Sequence, residues 1–165
     1  MNSPEAFIND ILVALDPFTE CQQPVSPPYK ILMIERPGED NELNREHSLN
    51  LAIYLQEESN HQVDFQINAL GVKVEDLSQY QCVMYHADED TGLDRIREWA
   101  LMFPEIAWVC NSGGNNNTQT LERHGESYLL AKPVQYDKLI PALEEAIRES
   151  QDRGGIEETV QRYEI

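Results

Sequence analysis

The sequence predicts an α/β protein built on a doubly wound, five-stranded parallel sheet of order 2-1-3-4-5, with an extra helix at its N-terminus. Three observations predict it. Short apolar runs alternate with amphipathic stretches from Tyr29 to about Ser150, the alternation that βα units leave in a sequence. Strands separated by helices pair in parallel with helices on both faces, and right-handed crossovers then set the order. Hydrophobic residues make up 41% of 165 residues, enough for the core of one domain.

The elements follow in chain order. Pro4 to Leu15 predicts a short amphipathic helix, with Phe7, Ile8, Ile11, Leu12 and Leu15 on one face and Ser3 as its N-cap. Asp16 to Pro28 carries four prolines without periodicity and reads as a linker. Residues 1–28 therefore form a tethered helix and linker, 29–150 the main domain and 151–165 a tail. Within the domain, Lys30 to Glu35 is an apolar run suited to a central strand. A helix is expected from about Asn41 to Glu58, with Leu43, His47, Leu51, Tyr54 and Leu55 inward. Gln62 to Leu70 alternates, with Val63, Phe65, Ile67 and Ala69 on one side. Gly71 to Gln79 holds at most a short helix or turn. Cys82 to Tyr85 is the third strand, Thr91 to Phe103 a helix ended by Pro104, and Ile106 to Cys110 the fourth strand. A loop rich in Gly and Asn, Asn111 to Asn117, leads to a short helix at about Thr118 to Arg123. Tyr128 to Ala131 is the fifth strand, delivered by a turn at Gly125 and ended by Lys132-Pro133. Tyr136 to Glu149 is the last helix, and the tail holds a separate short amphipathic turn beyond Gly154-Gly155.

Composition excludes several functions. The net charge is −18 and no basic cluster occurs, which argues against nucleic acid and anionic membranes as partners. No apolar run is long enough to span a bilayer. Met1 to Glu5 lacks the basic start of a signal peptide, and three cysteines, Cys21, Cys82 and Cys110, are an odd number. The expected place is the reducing cytoplasm. The acidity serves solubility, and its sharper reading is a protein partner with a basic docking face.

The segment Gly125-Glu126-Ser127-Tyr128-Leu129-Leu130-Ala131-Lys132-Pro133 resembles the G-A-x-x-Y-L-x-K-P segment of the receiver domains of bacterial two-component response regulators. Lys30 to Glu35 is similar to that family's first strand, Phe103 to Val109 to its fourth, and Asp90 to Glu98 to its third helix. The resemblance covers about Lys30 to Ser150 and implies a flavodoxin-like, receiver-like fold.

In that family an acidic pair after the first strand holds Mg²⁺, an aspartate after the third strand accepts a phosphoryl group, and a Thr or Ser and the Lys of K-P read it. Here the acidic pair falls on Glu35 and Arg36, and the acceptor on His86. The hydroxyl role falls on Cys110, Asn111 or Ser112, of which Ser112 matches best in type. Lys132 and Pro133 match outright. The switch aromatic corresponds to Tyr128 or Leu129. The implied pocket of Glu35, Arg36, His86, Ser112, Lys132 and Pro133 is thus degenerate. An aspartyl phosphate cannot form on a histidine, and an arginine has the wrong charge for a metal site. Lys132 is expected to pair with Glu35 or a loop acid, with Arg36 standing in for the missing cation.

The resulting expectation is a non-catalytic pseudo-receiver that signals through protein contact, with no enzyme activity and no cofactor. Its contacts would be the last helix, the fifth strand and the N-terminal helix, and either helix offers a homodimer surface. One alternative is a phosphorylatable or ligand-sensing receiver with a displaced site, using Asp88 or Asp90 as acceptor and Glu39 and Asp40 for Mg²⁺. Another is a small enzyme using the carboxyl edge of the sheet, against which the lack of a coherent nucleophile–base pair speaks.

Overall fold

Lys30–Glu35 forms β1, and every residue after Lys30 is buried. A run buried on both faces is what a central strand of a covered parallel sheet requires. The computed structural model describes residues 25–36, 42–87, 91–111 and 119–163. After β1 come α1 (Glu42–Ser59), β2 (Gln62–Ile67), two 3₁₀ turns (Ala69–Gly71 and Val74–Gln79), β3 (Cys82–Tyr85), α2 (Leu93–Met102), β4 (Ala107–Cys110), β5 (Leu121–His124), β6 (Ser127–Leu130) and α3 (Tyr136–Tyr163).

The protein is α/β with a single, mostly parallel sheet. Its six strands run in the order β2-β1-β3-β4-β6-β5. Register assigns residues to the two faces. Met33 lies beside Met84, Met84 beside Val109, and Val109 beside Tyr128. This row meets Leu51 and Leu55 of α1 and Leu139 and Leu143 of α3. Leu32, Val83 and Trp108 form the row on the other face, where Ile96, Trp99 and Ala100 of α2 cover them. Each fully buried Leu, Ile or Met contributes on the order of 2 kcal/mol of transfer free energy.

Three expectations are corrected. The sheet has six strands where five were expected. The sixth arises where a short helix over Thr118 to Arg123 was expected: Leu121–His124 is a strand antiparallel to β6, pairing Leu121 with Leu130 and Arg123 with Tyr128. A two-residue turn at Gly125 and Glu126 joins the two, and Gly125 adopts a φ of 63°, the left-handed region that tight hairpins need. The last helix does not end near Glu149. It continues through Gly154 to Tyr163, because Gly154 packs against Glu105, where a Cβ would sit 2.5 Å from the Glu105 Cβ. The glycine is there for close approach rather than for termination.

The helix expected over Phe7, Ile8, Ile11, Leu12 and Leu15 falls outside the described residues, as do Glu39, Asp40, Asp88, Asp90 and Ser112. No helix among the described residues is long and apolar enough to cross a membrane.

Candidate functional site at the carboxyl edge

Parallel pairing brings the carboxyl ends of β1, β3, β4 and β6 to one edge of the sheet. Glu35 ends β1, His86 follows β3, Asn111 follows β4 and Lys132 follows β6. The backbone N–H of Asn111 donates to the carbonyl of Tyr85 at 2.7 Å, which extends the ladder by one residue and sets Asn111 beside His86.

Glu35 and His86 form one half of the edge. Both are buried, and His86 Nε2 lies 3.8 Å from a carboxylate oxygen of Glu35. The carbonyl of His86 accepts a hydrogen bond from Oγ1 of Thr91 at 2.9 Å. That bond ties the end of β3 to the residues just before α2. Arg36, the residue after Glu35, is half-buried.

Lys132 forms the other half. It precedes Pro133 through a cis peptide bond. Its ammonium donates to Oδ1 of Asn111 at 2.9 Å and is in hydrogen-bond contact with Nε2 of His47 on α1. The expected pairing of Lys132 with Glu35 is therefore corrected. Three strand spacings separate β6 from β1, about 14 Å, which is beyond a lysine's reach. Among the described residues no carboxylate lies within ion-pair distance of Lys132. Burial lowers the lysine's affinity for its proton and brings it to about 8. His47 is likewise pushed down, first by burial and then by the lysine's charge. The buried amide nitrogen Nδ2 of Asn111 has no hydrogen-bond partner.

The edge thus brings together Glu35 with His86, and Lys132 with Asn111, while Pro133, next in the chain, is exposed. Among the described residues no three His, Cys, Asp or Glu side chains gather as metal ligands. Cys82 and Cys110 are both buried, and burial pushes the Cys82 thiol well above the thiolate range.

Two further constellations were not read from the sequence. His61, at the amino end of the sheet, accepts from the backbone of Tyr29 and faces Glu144. A cleft of about 270 Å³ lies between the β5–β6 hairpin and α3, lined by Leu121, Arg123, Tyr128, Glu145 and Glu149 among others. The Tyr128 hydroxyl at this cleft donates to Glu149 and accepts from Arg153, each at 2.9 Å. On the far flank, Phe65 and Ile67 of the edge strand β2 are exposed. Tyr54 meets Tyr136 of α3 on one side of α1. Leu49 and Ile53 of α1 are also exposed, away from its buried face of Leu51 and Leu55.

No family model matches the chain, and a search of curated proteins finds no match. The receiver resemblance rests on the residue pattern alone.

Proposed function

We propose that the chain is a non-catalytic pseudo-receiver: a flavodoxin-like module of a bacterial regulatory pathway that acts by binding protein. The observation that carries this reading is the buried imidazole of His86 at the end of β3, in contact with Glu35. A receiver places its acceptor aspartate at that position. With the antiparallel β5 set aside, the parallel strands follow β2-β1-β3-β4-β6, the order that a flavodoxin-like sheet has. The Lys-Pro pair stands at the end of the last of them. The partner is a protein with a basic face, drawn by the charge of −18. It meets α3, β6 and the N-terminal segment.

The test is incubation of the full chain with acetyl phosphate and Mg²⁺, read by intact mass. The expected result is no phosphoryl adduct. An adduct that disappears on substituting Asp88 or Asp90 overturns the reading in favour of a displaced phosphoacceptor. Affinity capture with and without residues 1–28, at low and high salt, then tests the partner's charge and the role of that segment.

A further inference from the structure

The neighbours of Lys132 have a use that the pseudo-receiver reading leaves open. Its amine touches an imidazole and an amide oxygen, and no carboxylate among the described residues. A lysine in water or in an ion pair is an ammonium and has no lone pair to offer. Here burial makes the proton easier to lose, and neither contact carries a negative charge that would hold it. The titratable groups that face it are His47 from α1 and Cys110 from β4. At pH 7.5 an amine titrating near 8 is about one quarter neutral, against about 0.1% for an ordinary lysine.

We propose that Lys132 is a site of reversible carboxylation by carbon dioxide, with His47 and Asn111 as the groups that accept the proton and hold the product. The lone pair of Nζ adds to the carbon of CO₂ and the N–C bond forms. One C=O π pair moves onto oxygen, and one N–H proton passes to Nε2 of His47. The product is a carbamate anion beside an imidazolium, so the net charge of the pair is unchanged.

Asn111 fits that product better than it fits the free amine. The carbamate nitrogen keeps one hydrogen, which still donates to Oδ1. A carbamate oxygen accepts from Nδ2, the buried donor that has no partner now. The two planar groups then pair through two parallel hydrogen bonds. An orphaned buried donor costs about 1–3 kcal/mol, and this adduct removes that cost. CO₂ is also neutral, so a chain of net charge −18 does not repel it as it would an anionic acyl donor.

The experiment uses the unmodified full chain, equilibrated with ¹³C-bicarbonate at pH 7.5. Trapping with triethyloxonium converts any carbamate to a stable ethyl carbamate, and peptide mass spectrometry locates it. The expected result is labelled ethyl carbamate on Lys132, on the order of a hundredfold above that on Lys73 and Lys138. Lys132→Arg abolishes it and His47→Gln lowers it, while thermal melts confirm that both variants are folded. Unfolding the chain in urea before trapping removes the preference for Lys132. Absence of the adduct on Lys132, equal labelling of the three lysines, or a preference that survives urea overturns the proposal. None of these outcomes depends on whether the chain accepts phosphate, so the two readings stand or fall separately.

Discussion

The backbone N–H of Tyr29 donates to Nδ1 of His61 across 2.9 Å, at the point where the chain enters the sheet. The ring is buried, and its other nitrogen lies 3.2 Å from Oε1 of Glu144 on α3. A ring nitrogen that accepts a backbone proton cannot carry one, so the imidazole is neutral, with its hydrogen on Nε2.

This bond predicts a pH dependence. Burial lowers the His61 pKa, and Glu144 offsets only part of that. His47 is lowered as well. Both groups bind a proton less readily folded than unfolded. Their contribution to stability is complete above the unfolded value of about 6.5 and is lost as pH falls through their lower folded values. Chemical denaturation between pH 7.5 and 5 should show a declining free energy. His61→Phe should cost about 1–3 kcal/mol at pH 7.5 by orphaning the Tyr29 amide. It should also flatten the decline, with His47→Gln removing more of the remaining slope.

Gly154→Ala should destabilise the chain, although alanine is the better helix former. The propensity gain is about 1 kcal/mol. The new Cβ would lie 2.5 Å from the Cβ and 2.9 Å from the Cα of Glu105, and overpacking against backbone costs about 1–3 kcal/mol. The melting temperature should fall by several degrees. A rise would show that the end of α3 moves away from Glu105 without penalty.

Trp108 is buried, and its indole N–H donates to the carbonyl of Phe103 at 3.0 Å. It is the second residue of β4, the strand that Asn111 follows at the carboxyl edge. If Arg36 stands in for a cation there, titration with Mg²⁺ to millimolar levels should leave tryptophan emission unchanged. A saturable change would show a metal bound at the edge.

Tyr128→Phe should cost about 1 kcal/mol, the net worth of the bonds its hydroxyl makes to Glu149 and Arg153. The guanidinium also lies over the ring, 5.5 Å from its centre, and phenylalanine keeps that contact. A double-mutant cycle with Arg153→Ala should therefore return a coupling of about 0.5–1.5 kcal/mol. A coupling near zero would mean that Arg153 does not hold Tyr128.

What was legible in the sequence follows from burial. β1, β3 and β4 are covered on both faces and read as unbroken apolar runs. β5 has one buried residue in four, Leu121, so neither period shows in it. Its strand conformation is imposed by pairing with β6, a tertiary cause. Val63, Phe65 and Ile67 alternate as expected, yet only Val63 is buried, because β2 is the edge of the sheet. At the site, the Lys-Pro pair announced Lys132. Its partner His47 lies 85 residues earlier on a helix face, and nothing in local spacing links the two.

The two flanks of the sheet differ in a way that bears on how copies of the chain could associate. β5 closes one flank with a four-residue strand turned antiparallel, carrying Glu122, Arg123 and His124. Short, charged margins of this kind discourage a further strand. The opposite margin, β2, is longer and leaves Phe65 and Ile67 in solvent. Polymerisation through backbone pairing needs two receptive ends, and this sheet has one. Joined through β2, two copies would consume each other's open margin, and growth would stop at the pair.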